Sequence, residues 1–252
     1  MLGRQVDVIE TSRGCTFDCS FCSIIEMRGR NFETFSFGRV IADIQDAYDH
    51  GARSIFIVDD NITLNVKRFE ALCRAIIDAR LNKIDYSVQA MTSAIANQGE
   101  HLASLMHEAG FRYVFLGIEN VVDRDLEFLR AKSKNTRRVN GRGAGNAAIK
   151  AIEYIHRNKM YVIGGLIVGN PGDTRESIQT NLRFAERYID WPYIQHPTPY
   201  PRTPMTKVLL NVWSILSFNF RGTSWRSLLG LEEEYAVFER YRAIRQAERS
   251  YL

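Results

Sequence analysis

Three of the four cysteines in the chain lie within eight residues, and they are the residues best suited to chemistry. They follow the spacing Cys-x3-Cys-x2-Cys, at Cys15, Cys19 and Cys22. Thiolates are soft ligands that bind iron–sulfur clusters, zinc or copper. A closed zinc site takes four protein ligands, and an electron-carrying [4Fe–4S] cluster is normally held by four cysteines. Three thiolates on a four-iron cluster would therefore leave one iron open to a small molecule.

A zinc knuckle or a disulfide loop would also place three cysteines close together, and the spacing alone does not decide among these arrangements. The fourth cysteine, Cys73, lies among apolar residues at helical spacing, so we expect it to pack in the core. Four cysteines, three of them clustered, are more typical of a reducing cytoplasm than of a disulfide scaffold.

The composition is that of an ordinary globular protein. The chain has 252 residues, of which 45% are hydrophobic and 25% charged. The net charge of +4 is too small to predict a nucleic-acid partner. No signal peptide is recognisable, and the longest apolar-rich segment, residues 208–220, is shorter than the roughly 20 residues of a membrane span. We therefore expect a cytoplasmic protein without a membrane span.

Six strand-then-helix units must position the cysteines. Short apolar runs predict strands at residues 6–10, 54–58, 84–88, 113–118, 161–168 and 193–197. Apolar residues at helical spacing predict helices at residues 38–50, 66–80, 98–109, 123–129 and 144–158, and a last helix that ends at Tyr188 behind an Asp173–Glu176 capping box. The strands lack polar alternation, as in a parallel sheet buried on both faces. The pattern predicts an α/β fold with right-handed crossovers, too short for an eight-fold barrel.

Polar residues follow several of these strands, at the end where α/β enzymes place their sites. They are Asp59, Asp60, Asn61, Gln89, Glu119, Asn120 and Asn170. We expect ligand contacts among them, although any one could be a helix cap or a turn residue. A basic run follows the fourth unit, and it is either a solvated loop or a contact for an anionic group. Its members are Arg130, Lys132, Lys134, Arg137, Arg138 and Arg142.

The cysteine motif resembles the signature of the radical S-adenosylmethionine (SAM) superfamily. The aromatic Phe21 before the last cysteine also matches, and the resemblance makes it a predicted cofactor contact. The resemblance spans roughly residues 6–205. It implies a [4Fe–4S] cluster on Cys15, Cys19 and Cys22, with SAM bound at the open iron. It also implies a partial TIM-type (β/α)6 barrel. We therefore divide the chain into a radical SAM core, residues 1–205, and a mostly helical C-terminal extension, residues 206–252.

The resemblance further implies which residues contact SAM. Asp59, Asp60 and Asn61 occupy the place that binds the methionine amino group, although they depart from the common Gly-Gly-Glu form. Glu119, at the end of the fourth strand, matches the polar residue that holds the ribose hydroxyls. Gln89 ends the third strand and is assigned to the same cofactor site.

The fifth strand resembles the glycine-containing strand that packs against adenine. Gly164, Gly165 and Val168 are its predicted cofactor contacts, because glycine lets backbone approach a flat ring closely. Tight packing of the strand against a helix would also call for these glycines. One lysine of the basic run could reach the SAM carboxylate.

Four segments resemble the cobalamin-dependent branch of the superfamily in particular, and they lie at residues 10–15, 58–61, 169–174 and 198–204. Members of that branch usually carry a cobalamin-binding domain before the barrel. The given sequence begins fourteen residues before Cys15, so we expect that domain to be absent from it. Cobalamin, if used, would be supplied by an absent domain or a partner.

The resemblance implies a radical enzyme. An electron donor such as flavodoxin or ferredoxin would reduce the cluster, which would cleave SAM to a 5′-deoxyadenosyl radical. The radical would abstract hydrogen from an unidentified small molecule, followed by C-methylation, cyclisation or rearrangement. Two alternatives are an RNA-modifying methylthiolase, which would need an RNA-binding domain, and a truncated, non-catalytic Fe–S or zinc module. No catalytic side chain is assigned.

Overall fold

The computed structural model describes residues 5–209, and a six-stranded parallel sheet forms its centre. The strands are β1 (Val6–Ile9), β2 (Ser54–Ile57), β3 (Asp85–Ala90), β4 (Phe111–Glu119), β5 (Tyr161–Ile167) and β6 (Trp191–Gln195). Each strand pairs in parallel with the one before it, so the order in the sheet follows the order in the chain. This is the winding of a TIM-type barrel with six of its eight strands. The predicted α/β partial barrel is confirmed.

Helices connect the strands, and the longer ones bury an apolar face. Those bounded within the described residues are α1 (Ile24–Arg28), α2 (Phe37–Asp49), α3 (Val66–Asp78), α4 (Thr92–Gln98), α5 (Glu100–Glu108), α6 (Asp123–Phe128), α7 (Ala148–Arg157) and α8 (Arg175–Tyr188). On α3, Phe69, Leu72 and Ile76 are fully buried at spacings of three and four residues. Cys73 is buried in the same core, as predicted.

Two antiparallel ladders were not predicted. Ser12–Arg13 pairs with Glu33–Thr34, and Thr136–Val139 pairs with Arg142–Asn146. The second ladder is a hairpin that turns at Asn140-Gly141, where both residues have positive φ. Such a pair favours the tight turn of a two-residue hairpin. The helix predicted from residue 144 was therefore placed too early, since α7 begins at Ala148.

Two helix boundaries also differ from the prediction. The helix predicted at residues 98–109 is preceded by α4, and Gly99, with a φ of 70°, separates α4 from α5. The cap of α8 is Thr174 with Ser177, whose side chains and backbone amides bond reciprocally. Asp173 does not cap the helix as predicted, because it accepts hydrogen bonds from the backbone N–H groups of Gly169 and Asn170.

The unit that ends at Met205 is compact. Apart from residues 206–209, the predicted C-terminal extension lies outside the described residues, so its boundary and helical content stay predictions. None of the helices in residues 5–209 has the length and apolar character that crossing a membrane requires.

Candidate functional site

The loop after β1 carries the three cysteines, and buried polar contacts hold its beginning. The Asp59 carboxylate accepts hydrogen bonds from the Thr11 amide and hydroxyl, both at 2.6 Å, and from the Ser12 hydroxyl at 2.5 Å. Arg68 donates to the carbonyl oxygens of Thr11 and Phe35, at 2.9 and 2.8 Å. The start of the loop is therefore fixed to the end of β2 and to α3.

The rest of the loop is held by hydrogen bonds of its backbone groups. The Gly14 amide donates to Asp60 Oδ2 at 2.7 Å, and Gly14 has a φ of 93°. A Cβ there would lie 2.4 Å from the Asn31 carbonyl oxygen, so only glycine fits. Ser20 donates its amide to the Leu129 carbonyl and accepts from the Met205 amide, both at 2.9 Å.

The cysteine side chains line one cavity of about 130 Å³. Cys19 is buried, Cys15 and Cys22 are half-buried, and all three are free thiols. Several predicted cofactor residues line the same cavity, namely Phe21, Asp60, Asn61, Gln89 and Glu119. The structure therefore brings the cysteines together with polar groups from the ends of β2, β3 and β4.

The donor set fits a [4Fe–4S] cluster with one open iron. Within residues 5–209, no three Cys, His, Asp or Glu side chains converge on a position for a single metal ion. A four-iron cluster takes each thiolate on a separate iron, so its ligands surround a cavity rather than a point. Asn61 Nδ2 lies 3.9 Å from Cys15 Sγ, within reach of a weak N–H···S hydrogen bond.

Burial shapes the chemistry of these thiols. It raises the pKa of Cys19 to about 11 and raises the pKa of Cys22, while the Lys134 ammonium opposes both shifts. Metals bind the thiolate, so each thiol must lose its proton when a cluster is loaded. A positive charge beside the cavity therefore favours the liganded form.

A buried ion pair between Lys134 and Glu119 forms part of the cavity wall. Their side chains are 15% and 10% exposed. Burial by itself would lower the pKa of Lys134, but the negative charge of the Glu119 carboxylate raises it above its usual range. Lys134 is therefore positively charged at all physiological pH values.

An irregularity in β4 aims Glu119 at the cavity. The register with β5 shifts between Gly117 and Glu119, and Glu119 has a φ of 63°. A register shift of this kind, a β-bulge, changes the direction of a side chain and is common next to functional sites. A Cβ on Gly117 would lie 2.7 Å from Glu119 Oε1 and 3.2 Å from Lys134 Nζ, so the glycine leaves room for the ion pair.

Four predicted cofactor residues do not line this cavity, and they are Asp59, Gly164, Gly165 and Val168. Asp59 is fully buried and holds the start of the cysteine loop. A Cβ on Gly164 would lie 2.5 Å from the Ile189 side chain, so this glycine serves close packing instead. Val168 is buried, and its backbone amide bonds to the Gln195 carbonyl.

Gly165 lies behind a residue of the cavity wall and does not line the cavity itself. A Cβ there would lie 2.8 Å from Phe115 Cζ, and the Phe115 ring lines the cavity. The ring therefore covers the glycine. Asn120 is buried and donates to the Ile167 carbonyl, which gives it a role in joining β4 to β5.

Sequence reasoning did not single out Lys134, Phe115 or Gly117. Lys134 was one member of the basic run, and only the turn Ser133–Asn135 directs it inward. Phe115 and Gly117 precede Glu119 by four and two residues on one strand. The two-residue alternation of a strand was therefore the signal that could have placed Phe115 and Gly117 on one face of β4.

Comparison with known proteins assigns the chain to one family. The model described as Radical SAM superfamily matches residues 9–185. An uncharacterized methyltransferase of Pyrococcus horikoshii is 31% identical over 222 residues, which cover 87% of this chain and 45% of that protein. The hopanoid C-3 methylase of Methylococcus capsulatus is 27% identical over 198 residues, 77% of this chain and 35% of that protein.

A solved structure has the same fold. The radical SAM methyltransferase TsrM from Kitasatospora setae, solved with cobalamin and a [4Fe–4S] cluster bound, superposes with a TM-score of 0.70 at 19% identity. The match covers 80% of this chain and 38% of that one. The chain thus spans less than half the length of each of these three proteins.

Proposed function

Because this chain belongs to the radical SAM superfamily, we propose that Cys15, Cys19 and Cys22 hold its [4Fe–4S] cluster and that the adjoining cavity binds SAM. The observation that carries the proposal is the single cavity shared by the three thiols and the polar ends of β2, β3 and β4. When bound, the cluster and SAM supply one-electron reductive chemistry able to activate an unreactive C–H bond.

The residues of the chain bind SAM, orient it and shield the cysteines from water. In our proposal, the side-chain oxygens of Asp60 and Asn61 accept hydrogen bonds from the amino group of SAM, since both residues line the cavity beside Cys15. Glu119, oriented by Lys134, accepts hydrogen bonds from the ribose hydroxyls. Gln89 supplies a further polar contact, while the Phe21 ring keeps water from the cysteines.

We propose that the substrate is a small molecule and that C-methylation is one outcome of the reaction. Relatives named as methyltransferases, hopanoid methylases and an anaerobic magnesium-protoporphyrin IX monomethyl ester cyclase support this range. Cobalamin supplied by a partner or a further domain fits the solved relative that binds it. A cluster of this kind needs a reducing compartment, so we propose a cytoplasmic enzyme with flavodoxin or ferredoxin as electron donor.

Anaerobic reconstitution with iron and sulfide, followed by assay with SAM and dithionite for 5′-deoxyadenosine, tests the proposal. We expect a cluster and product from the native chain, and neither from a variant with Cys15, Cys19 and Cys22 replaced by Ala. Cys73→Ala is the matched control, because Cys73 is buried in the core away from the cavity, and it should keep both. Bound zinc without acid-labile sulfide in the native chain would contradict the proposal.

A further inference from the structure

We infer that the hairpin at Thr136–Asn146 is the docking surface for an acidic electron-donor protein, which three arginines of the hairpin attract to the neighbourhood of the cysteine cavity. The inference deepens the proposed function and rests on it, because a donor is needed only if the cysteines hold a cluster. It gives a role to the half of the basic run that the cavity does not use.

The charges of the basic run carry the first step. Three of its members pair with carboxylates: Arg130 with Asp18, Lys132 with Asp123 and Glu127, and Lys134 with Glu119. The other three, Arg137, Arg138 and Arg142, lie on the hairpin, and no carboxylate in residues 5–209 forms an ion pair with them. Unpaired positive charges on one ribbon attract an acidic surface and speed its approach.

Hydrogen bonds hold the hairpin in place before any partner binds. The Arg138 amide donates to Asn97 Oδ1 on α4 at 2.7 Å. The Ala147 amide closes the base of the hairpin by donating to the Asn135 carbonyl at 2.8 Å. A surface that is ordered in advance loses less conformational entropy when a partner binds.

The helix α4 sets the distance between the hairpin and the cysteine cavity. Met91 lines that cavity and directly precedes α4, and Asn97 near the other end of the helix holds Arg138. A helix rises 1.5 Å per residue, so this strand of the hairpin is held roughly 9 Å along α4 from the cavity wall. An interface of ordinary size, about 800 Å² per partner, is roughly 30 Å across, so one docked protein covers both places.

The side chains of the hairpin favour a protein partner over a nucleic acid. Val139, between Arg138 and the turn, is 44% exposed and lies opposite Arg142 in the ladder. An apolar contact flanked by arginines is typical of protein interfaces. None of residues 136–146 is aromatic, whereas proteins that bind single-stranded nucleic acid stack its bases on aromatic rings.

The position of the arginines favours a protein over a small anion. None of the three lines the cysteine cavity, and Arg138 and Arg142 are exposed. A small ligand would instead be enclosed in a pocket. The electron donor is the protein partner that every outcome of the proposed reaction requires, so it is the partner that we assign to the hairpin.

Binding of a purified, oxidised bacterial flavodoxin to the reconstituted full chain is the first test, measured by calorimetry at low and high salt. The hairpin variant carries Arg137→Gln, Arg138→Gln and Arg142→Gln. At low salt we expect the hairpin variant to bind roughly tenfold more weakly than the native chain. Native binding should weaken steeply as salt rises, and the binding of the hairpin variant should change little.

Two further variants separate the hairpin from net charge and from general disturbance. The matched control carries Arg175→Gln, Arg183→Gln and Arg187→Gln, which remove the same charge from exposed positions on α8, and it should bind like the native chain. Val139→Ser keeps every charge, so it should weaken flavodoxin binding while leaving the salt dependence unchanged.

Reduction of the cluster gives the second test. One electron leaves the two-electron-reduced flavin of the donor and enters the cluster, and stopped-flow absorbance follows both groups. At low salt, flavodoxin should reduce the hairpin variant roughly tenfold more slowly than the native chain. Dithionite needs no docking surface, so at high salt it should reduce both proteins at the same rate.

The outcomes separate this inference from the proposed function. A native chain that takes up no cluster overturns both. A loaded native chain that binds flavodoxin no more tightly than the hairpin variant overturns this inference alone. Binding of transfer RNA that only the hairpin variant loses, with flavodoxin binding unchanged, overturns it in favour of a nucleic-acid partner. If the hairpin variant fails to fold, Arg142→Gln decides by the same measurements, because Arg142 is exposed beside the turn.

Discussion

At the scale of single residues, Asp59 can be tested for a structural role, as its hydrogen bonds indicate, or for the SAM contact that the family resemblance implies. Its carboxylate is fully buried and accepts three hydrogen bonds from Thr11 and Ser12. Replacing it leaves three buried donors unpaired, so we expect Asp59→Ala to cost about 3 kcal/mol of stability even without cluster or SAM. For a unit of this size, the Tm should fall by roughly 6–12 °C in an anaerobic melt of the apo-protein.

Asp60→Ala is the matched control, because Asp60 is the neighbouring carboxylate and lines the cavity. It accepts one hydrogen bond, from the Gly14 amide, so the apo-protein should lose about 1 kcal/mol. In our proposal its larger effect is weaker SAM binding, measured by calorimetry on the reconstituted protein. The structural role of Asp59 would be wrong if Asp59→Ala melted like the native chain and lost only SAM affinity.

Part of this site could be predicted from residue types and their spacing. The cysteine spacing predicted the loop, and the position of Glu119 at a strand end predicted its place in the cavity. Asp59 and Asp60 look equivalent in the sequence, yet only the fold decides that Asp59 is buried among three donors of the loop while Asp60 lines the cavity. Lys134 looked like one charge of a basic run, because nothing local in the sequence reveals that its turn faces inward.

At the scale of elements, a carboxyl pair joins α6 to the loop after β5. Asp125 on α6 is buried, and its Oδ2 atom accepts no hydrogen bond from any residue that the structure describes. Burial and the neighbouring Asp173 carboxylate raise the pKa of Asp125, while Arg124 opposes the shift. Asp125 therefore holds its proton in the folded chain above the pH at which it would ionise in the unfolded chain.

This pair predicts a dependence of stability on pH. A carboxyl group with a raised pKa in the folded state stabilises most below its unfolded pKa of about 3.9. That stabilisation is lost as the pH rises through the folded pKa. Asp125→Asn keeps a donor for Asp173 at every pH, so it should flatten this part of the profile and add about 1 kcal/mol at neutral pH. Urea melts from pH 4 to 8 measure both effects.

Asp123→Asn supplies the control, because Asp123 lies on the same helix and its side chain is 69% exposed. Its profile should match the native one. A native profile parallel to that of Asp125→Asn would show that Asp125 is ionised in the folded chain.

Elements with a strong pattern were predictable, and elements that depend on contacts were not. The six strands and most of their helices follow from apolar runs and helical spacing. The hairpin at Thr136–Asn146 contains polar and glycine residues, and only its Asn140-Gly141 turn signalled it. The shift in register that aims Glu119 depends on the packing of β4 against β5, which local sequence does not encode.

At the scale of the whole molecule, the cysteine loop joins parts of the unit that are far apart in sequence. Ser20 bonds through its backbone to Leu129, after α6, and to Met205, at the end of the unit. Asp59 and Arg68 anchor the other end of the loop to β2 and α3. A ligand that orders this loop should therefore stabilise the unit as a whole.

Cluster removal tests this coupling. A ligand that binds only the folded chain adds about 2.7 kcal/mol when it is present at 100 times its dissociation constant. For a unit of this size we expect the loaded protein to melt roughly 5–11 °C above the chelator-stripped protein. The triple variant with Ala at Cys15, Cys19 and Cys22 should show no rise after the same reconstitution. Equal melting temperatures for loaded and stripped native protein would mean that the loop opens without disturbing the barrel, and that its contacts through Ser20 do not couple it to the rest of the fold.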